Sequence, residues 1–311
     1  MSGGGDCAGA RIAAPAHCLR AGARTLELGA RPLLMGIVNA SPDSFSDGGR
    51  YATLEQRVQL AEELCAAGAE IIDVGGESAT TGRPPVPEQL EIERVVPLIE
   101  RVAPLATVSV DTYKPAVARA AIAAGASIVN DVSGLRDLDL ANVCAESGAA
   151  LVVMHTRAAP RERLQEPELY GDVVAEVLAF LRERTELALA AGVAREQLIV
   201  DPGPDFAKTP AQTIRLLSQL ARLHELGLPL LLAVSRKDFV GALTGRAPRE
   251  RLAGTLAALA HGADSGAQIF RVHDVAAAAD FLAVRAALAG ASAPGRDLAL
   301  AEELRHERSA G

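Results

Sequence analysis

Polar side chains that could bind a ligand recur in this sequence at the ends of short apolar runs. One set can accept hydrogen bonds from the N–H-rich edge of a flat heterocycle, and it comprises Asp111, Asn130 and Asp201. Another set can supply positive charge to an anion such as phosphate, and it comprises Lys237, Arg271 and His273. Together the two sets predict a site for a heterocycle joined to a phosphate.

Arg271 has a second role open to it in such a site. Its guanidinium could lie flat over an aromatic ligand instead of binding phosphate. The thioether of Met154 could then pack against the opposite face of that ligand. The residue types leave both roles open.

The same pattern extends along the chain, because each of eight apolar runs is closed by at least one polar residue. Run by run, the closing residues are Asn39; Asp73 and Glu77; Asp111; Asn130 and Asp131; Met154 and His155; Asp201; Ser235, Arg236 and Lys237; and Arg271, His273 and Asp274. A single buried polar group is about as often a satisfied part of the core as a ligand contact. Polar residues at the ends of all eight runs favour one shared pocket, since an unpaired buried charge costs on the order of several kcal/mol.

The apolar runs themselves predict strands, at residues 33–39, 70–76, 107–112, 127–132, 150–156, 197–203, 230–237 and 268–274. Between them lie longer Ala-, Leu-, Glu- and Arg-rich stretches at helical period, several ending at Gly, which is typical of βα units around a parallel sheet. Eight such units predict an α/β fold, a (β/α)8 TIM barrel, as a single domain over residues 30–290. A doubly wound open sheet is the alternative, but the sequence has no Gly-rich dinucleotide fingerprint to support it.

The barrel also predicts where the site lies, because the carboxyl ends of all its strands meet at one face. We therefore expect the closing residues to converge there. Residues 1–29 are expected to form a partly disordered N-terminal extension, in which "RTLELGARP" could form a short hairpin that plugs the barrel floor. Residues 291–311 are expected to form a polar C-terminal tail.

Composition excludes several classes of partner. The net charge of -8 and the pI of about 5.4 give no general positive field for nucleic acid or an acidic membrane, so an anionic ligand needs a local cationic cluster. The four cysteines lack CxxC spacing, and we expect neither a zinc site nor a disulfide framework. Reduced thiols, together with the lack of a signal-peptide pattern and of a run of roughly 20 apolar residues, predict a cytoplasmic protein.

Seven short motifs resemble those of the dihydropteroate synthase family of pterin-binding enzymes, over roughly residues 33–288. In chain order they are "NASPDSFSDGG", "DVGGES", "SVDT", "NDVSG", "DPG" followed by "FAK", "SRK" and "RVHDV". The resemblance implies a transferase of folate biosynthesis that is a sulfonamide target. Its reaction would join 6-hydroxymethyl-7,8-dihydropterin diphosphate to 4-aminobenzoate, giving 7,8-dihydropteroate and diphosphate. It also implies small-molecule substrates, a magnesium cofactor, no nucleic-acid or membrane partner, and a homodimer.

The resemblance implies a role for each residue that matches a family motif. The residues for the pterin ring would be Asp111, Asn130, Met154, Asp201, Lys237 and Arg271, with Met154 and Arg271 on its faces. Those for the diphosphate would be Asn39, Thr80, Arg271 and His273, and Asn39 would also bind the magnesium ion. Those for 4-aminobenzoate would be Phe206, Ser235, Lys237, Arg83 and Pro84. The catalytic groups would be Asp111, Lys237, Arg271 and His273.

Two loops depart from the family pattern. The second loop reads "GGESATTGRPP" where "GGESTRPG" is usual, so the arginine and proline move to Arg83 and Pro84, and Thr80 or Thr81 takes the place of the threonine. The sixth reads "DPGPDFAK" where "DPGFGFGK" is common, which puts Asp205 near the anionic aminobenzoate. Like charges would weaken binding there unless Lys208 or Lys237 compensates.

These departures leave two other functions open. One is a pterin-binding paralogue that lacks synthase activity, since both departures lie at the aminobenzoate side. The other is a corrinoid-linked methyltetrahydrofolate methyltransferase of the same superfamily. The "SPDSF" loop, "SRK" and "RVHDV" favour the diphosphate-using enzyme over a methyl transfer, which needs no phosphate cluster.

Overall fold

The computed structural model describes residues 18–29, 31–41, 51–77, 84–290, 295, 298–301 and 304. A hairpin comes first, with strands β1 (Cys18–Ala21) and β2 (Arg24–Glu27). Eight more strands follow: β3 (Leu33–Asn39), β4 (Ile71–Gly75), β5 (Thr107–Asp111), β6 (Ile128–Asp131), β7 (Ala150–Met154), β8 (Leu198–Asp201), β9 (Leu231–Leu232) and β10 (Ile269–Val272). Each lies within a run that the sequence predicts as a strand.

Helices connect these strands over the described residues. They are α1 (Leu54–Ala66), α2 (Glu88–Val102), α3 (Pro115–Ala123), α4 (Asp139–Ser147), α5 (Val173–Ala190), α6 (Pro210–Leu217), α7 (Asp238–Thr244), α8 (Leu252–Asp264) and α9 (Val275–Leu288). Short 3-10 segments lie at Pro167–Leu169, Arg195–Gln197, Leu220–Leu226 and Pro248–Glu250. None of the helices in the described ranges is long and apolar enough to cross a membrane.

The parallel strands close into a barrel. Their order is β8-β7-β6-β5-β4-β3-β10-β9, with parallel pairing throughout. A parallel bridge between Val200 and Leu230 joins the two ends, and the Val200 N–H donates to the Pro229 carbonyl at 2.9 Å. The predicted (β/α)8 barrel is confirmed, and the open-sheet alternative is wrong.

The turn signals of the sequence explain where several helices begin and end. Thr53 and Thr209 form capping boxes with Gln56 and Gln212 at the start of α1 and α6. Gly68 follows the end of α1 with a φ of 106°, a left-handed conformation that favours glycine. The segment after β9 differs from the expectation of one helix per strand, because it holds both α7 and α8.

The barrel interior is filled from below by the N-terminal hairpin. Leu19 and Ala21 of β1 are fully buried and pack in one cluster with inward side chains of the barrel strands, among them Ile128 and Ile269. The Arg20 guanidinium donates to the Gln197 side chain at 2.6 Å, which fastens the hairpin to the base of β8. A hairpin at the barrel floor was predicted, but it begins at Cys18 rather than at Arg24.

Two predictions concern the ends of the chain. The partly disordered extension is predicted over residues 1–29, of which residues 1–17 lie outside the described residues. The polar tail was assigned to residues 291–311, of which only residues 295, 298–301 and 304 are described. Both assignments stay predictions.

Candidate active site

Arg271 lies at the centre of a polar cluster over the barrel mouth. Side chains alternate along β10, so Arg271 points inward two residues above Ile269, which lies in the inner core. Its Nε donates to Asp73 Oδ2 on β4 at 2.6 Å, and its Nη2 donates to Asp111 Oδ2 on β5 at 2.8 Å. Asn130 on β6 donates from Nδ2 to the same Asp73 oxygen at 3.2 Å. Four strands thus contribute to one network.

The charges of this network are unequal, since one guanidinium faces two carboxylates. Burial raises the pKa of Asp111 to about 7; Arg271 opposes the rise and Asp73 adds to it. Burial alone would lower the pKa of Arg271, but the two carboxylates raise it above its ordinary value. Asp73 is completely buried, and its Oδ1 has no hydrogen-bond partner among the described residues. The cluster therefore holds excess negative charge and an unused acceptor.

Sequence analysis assigned no role to Asp73, although it noted this residue at a strand end. The signal that could have identified the role is the alternation along β4, where Ile71, Asp73 and Gly75 share one face. Because Ile71 belongs to the inner core, Asp73 has to point into the barrel as well.

Asp201 and Lys237 lie on the other side of the mouth, after β8 and β9. Asp201 is buried, and its Oδ1 accepts a hydrogen bond from the Gly203 N–H at 2.7 Å. Burial raises the pKa of Asp201, against the effect of the Gly203 N–H and Lys237. The Lys237 amine lies 4.2 Å from the centroid of the Phe206 ring. Burial lowers the pKa of Lys237, while the carboxylates of Asp205 and Asp201 oppose that shift.

Ser235 and His273 connect the ends of β9 and β10. The Ser235 hydroxyl lies 3.0 Å from His273 Nδ1 and accepts the His273 backbone N–H at 3.2 Å. Burial lowers the pKa of His273 to about 3, with Arg236 and Arg271 contributing to the shift. The sequence placed His273 among the cations; burial of the imidazole in the free protein favours its neutral form. A neutral imidazole would meet an anion as a hydrogen-bond donor.

Met154 and His155, at the end of β7, have different surroundings. Met154 is buried beside Gly203, where an added Cβ would come within 3.2 Å of Met154 Cγ. His155 lies 2.8 Å from the Lys208 amine through Nδ1, and burial lowers its pKa to about 2. Lys208 also donates to the carbonyls of Gly203 at 2.9 Å and Phe206 at 3.0 Å. Lys208 is therefore engaged in holding the loop after β8.

Asn39 ends β3 next to an open position at Gly75. A Cβ at Gly75 would lie 3.9 Å from Asn39 Oδ1 and 4.0 Å from Asp111 Oδ2, so the glycine leaves space beside an amide oxygen and a carboxylate. Among the described residues, no group of three or more His, Cys, Asp or Glu side chains could hold a metal ion. Magnesium binds with few protein ligands when phosphate oxygens and waters complete its shell, and the oxygen donors here fit that mode.

The second loop lies partly within the described residues. Thr80 and Arg83 are outside them, and Pro84 is exposed. Glu77 fixes both sides of this loop, because its Oε2 accepts the Val86 N–H at 2.9 Å and the Lys114 amine at 2.7 Å. Sequence analysis did not identify Lys114 as part of this region.

The fold and these contacts define a class: a (β/α)8-barrel protein whose polar site is acidic within the barrel mouth and cationic beside β9 and β10. A family model described as "Pterin binding enzyme" matches residues 35–273. The chain belongs to this family of pterin-binding enzymes.

Individual relatives agree with this assignment. The dihydropteroate synthase of Bacillus subtilis (strain 168) is 43% identical over 249 residues, covering 79% of this chain and 84% of the relative. A probable bifunctional folylpolyglutamate synthase/dihydropteroate synthase of Haloferax volcanii is 46% identical over 243 residues, or 78% of this chain. This match spans only 29% of that larger protein.

Solved structures give the same result for the fold. The dihydropteroate synthase of Xanthomonas albilineans with 4-aminobenzoic acid has a TM-score of 0.80 at 44% identity, covering 88% of this chain and 98% of that one. The same enzyme in complex with 7,8-dihydropteroate has a TM-score of 0.78 at 44% identity, with the same coverage.

Proposed function

We propose that this protein catalyses the dihydropteroate synthase reaction. Its substrates are 6-hydroxymethyl-7,8-dihydropterin diphosphate and 4-aminobenzoate, and its products are 7,8-dihydropteroate and diphosphate. The observation that carries the proposal is the network in which Arg271 pairs with Asp73 and Asp111, with Asn130 bonded to Asp73. Acceptors around one guanidinium suit a flat, N–H-rich heterocycle, and relatives of this name at 43% identity support the reaction.

The chemistry is a nucleophilic substitution at the exocyclic methylene of the pterin. The bond from that carbon to the diphosphate oxygen breaks, and its electron pair leaves with the diphosphate. The aryl amine nitrogen forms the new bond and afterwards loses a proton. The electron-rich pterin stabilises positive charge at the methylene, so the protein mainly has to hold the amine in line and neutralise the leaving group. No side-chain nucleophile is required.

The residues would divide this work as follows. Asp111, Asn130 and Asp201 accept hydrogen bonds from the pterin and fix its plane. Arg271 retains N–H groups beyond those bonded to Asp73 and Asp111, and these would bind the ligand. His273 would donate a hydrogen bond to the departing diphosphate.

The aryl amine would lie beside Phe206 and Lys237. Ser235 adjoins this side of the site through its contact with His273. The roles of Thr80, Arg83 and Pro84 on the second loop stay predictions.

We also propose magnesium as the cofactor. Asn39 Oδ1 would bind the ion at the mouth of β3, with the remaining ligands coming from diphosphate and water. Magnesium would supply positive charge that stabilises the leaving diphosphate. The space beside Gly75 supports this placement.

A second candidate function is a pterin-binding paralogue that lacks synthase activity. One observation favours it: Asp205, which precedes Phe206 in the chain, places a carboxylate at the start of α7, close to the Lys237 segment where the aryl amine would bind. In that case the protein would bind the pterin without joining it to an amine.

Diphosphate release from purified protein separates the two functions. With dihydropterin diphosphate, magnesium and 4-aminobenzoate, we expect release that requires both the amine and magnesium. Lys237→Ala and Arg271→Ala should lower turnover by about two orders of magnitude or more, because each removes a charge from the site. Cys144→Ala, a buried thiol of α4, should retain turnover and serves as the control.

Two results would contradict this assignment. Near-normal turnover in both charge variants would show that the reaction occurs elsewhere. Tight pterin binding without diphosphate release would favour the paralogue.

We further propose that the protein is a cytoplasmic homodimer. Cys18, Cys65 and Cys144 are free thiols, as expected in a reducing compartment. A cleft of about 410 Å³ between α8 and α9 is lined by apolar side chains, including Val284 and Leu288, which are 61% and 84% exposed. Asp264 and Arg285, which form an ion pair, also line it, and apolar side chains accompanied by charged ones are typical of an interface.

A further inference from the structure

Asp205 has an unusual backbone conformation in the loop after β8. Its φ is 65°, in the left-handed region that glycine adopts most easily, and Ala207 two residues later has a φ of 49°. Glycine is common at both positions in the family pattern. The Asp205 N–H donates to Thr213 Oγ1 at 3.0 Å, which anchors the loop to α6. The loop after β8 therefore keeps a backbone conformation typical of glycine at Asp205 while carrying a carboxylate there.

That carboxylate is directed toward the start of α7. Asp205 Oδ2 accepts the backbone N–H of Phe239, in the first turn of the helix, at 3.2 Å. Asp205 Oδ1 is buried and has no hydrogen-bond partner within the described ranges. A carboxylate with a single backbone donor keeps most of its negative charge, and a partly buried charge is screened less than an exposed one.

Lys237 is the cation that this charge affects most directly. Phe206, the next residue after Asp205, lies under the Lys237 amine at 4.2 Å from the ring centroid. The Asp205 carboxylate meanwhile bonds to Phe239, two residues after Lys237. Asp205 therefore contacts both segments that hold Lys237 and Phe206. Among the surrounding charges, which include Asp201, Asp238 and Arg271, Asp205 has the largest effect on the pKa of Lys237 and opposes its lowering by burial.

We propose that Asp205 is a specificity-determining residue, whose negative charge offsets the attraction of Lys237 for an anionic aryl amine and leaves this side of the site tolerant of a neutral one. The inference rests on the proposed function, because it assumes that the amine lies beside Phe206 and Lys237. It predicts that the protein discriminates less sharply between 4-aminobenzoate and 4-aminobenzamide than it would without this charge.

Asp205→Asn is the direct test. Asparagine tolerates a positive φ and keeps an acceptor for the Phe239 N–H, so the change removes the charge and little else. We expect kcat/KM for 4-aminobenzoate to rise about fivefold, a Coulombic effect at intermediate dielectric, and kcat/KM for 4-aminobenzamide to change by less than about twofold. The ratio of the two values, measured by diphosphate release, is the readout.

Matched variants separate charge from structure. Asp139→Asn removes a carboxylate that is 50% exposed and paired with Arg119 on α3, so it should leave the ratio unchanged. Asp205→Gly restores the common residue but also removes the bond to Phe239. It should change the ratio in the same direction as Asp205→Asn.

The ratios measured for these variants either support or overturn the proposal. An unchanged ratio in Asp205→Asn, or equal changes with both amines, would overturn the proposal. If the wild-type protein turned over neither amine, the proposed function would fail instead. The specificity would then be measured as the ratio of the dissociation constants of the two amines, determined calorimetrically with diphosphate and magnesium present. A change of that ratio in Asp205→Asn would support the specificity role, and an unchanged ratio would exclude it.

Discussion

At the residue scale, the charges of Asp73, Asp111 and Arg271 do not cancel in the free protein. They suit the binding of a donor-rich ligand. Two carboxylates share one guanidinium inside the barrel mouth, so the three groups together keep one negative charge that is not neutralised until a donor-rich ligand binds. Burial penalises that charge and raises the pKa of Asp111 to about 7. The buried charges that would bind the ligand therefore lower the free energy of unfolding of the free protein, as is common at functional sites.

Asp111→Asn should consequently stabilise the free protein. An acid with a raised pKa takes up its proton at higher pH in the folded state than in the unfolded state. Its contribution to the free energy of unfolding is largest below about pH 4 and is lost as the pH rises to about 7. We expect Asp111→Asn to have a Tm a few degrees above wild type at about pH 8, and a smaller difference at about pH 5.

Thermal denaturation at the two pH values measures this effect, and pterin binding by the variant should weaken at the same time. Asp139→Asn is the control, since its half-exposed carboxylate should give no pH-dependent gain. A lower Tm for Asp111→Asn at both pH values would contradict the argument.

Residue types at strand ends were sufficient to predict much of this cluster. Asp111, Asn130 and Arg271 were identified because each closes an apolar run, and a barrel brings such positions together. The neutral state of His273 could not be predicted in the same way. It depends on burial and on Arg236, which come from tertiary packing and not from the run itself.

At the element scale, the ends of β9 and β10 are joined by Arg236 and Asp274, two closing residues for which the sequence predicts no individual role. Arg236 has a φ of 59°, and its guanidinium donates to both carboxylate oxygens of Asp274 at 3.1 Å and 2.7 Å. Arg251 donates to the carbonyls of Arg236 at 2.9 Å and Lys237 at 3.2 Å. The two strand ends that carry Lys237 and His273 are thereby held at a fixed separation.

Asp274→Asn should lower kcat by about tenfold, since small displacements of positioned groups reduce rate strongly. It should leave pterin affinity nearly unchanged, because Asp111, Asn130 and Asp201 lie on other strands. Arg236→Gln should have a similar effect. The double variant should be no worse than either single variant, as expected for residues that act as one unit. Steady-state kinetics and pterin titration measure both quantities, and additive losses in the double variant would show that the pair does not act together.

Strand positions could be predicted from apolar runs, but the length of β9 could not. The run 230–237 contains Leu231–Leu232 as regular strand, and the chain then leaves the ladder toward Arg236. The left-handed backbone at Arg236 occurs together with its bond to Asp274, which is distant in sequence, and the local pattern does not indicate either. The break between α7 and α8 can be predicted locally, because Gly245 ends α7 with a φ of 68°.

At the scale of the whole molecule, the packing of the hairpin, the polar site and the exposed apolar surface lie on different faces of the barrel. The N-terminal hairpin fills one end through Leu19 and Ala21, while the polar cluster lies at the carboxyl ends of the strands. The apolar surface of α8 and α9 lies on the helical exterior and contributes to neither. A second copy of the chain could therefore bind there without obstructing the site.

The proposed dimer gives a direct prediction at this scale. Wild-type protein should have a solution mass of about twice 32.2 kDa by light scattering. Val284→Glu combined with Leu288→Glu should give the monomer mass, because the interface would have to bury two unpaired carboxylates from each subunit. Leu105→Glu, a control at a side chain that is 48% exposed away from α8 and α9, should stay dimeric. A wild-type monomer at micromolar concentration, or a double variant that still dimerises, would exclude this face as the interface.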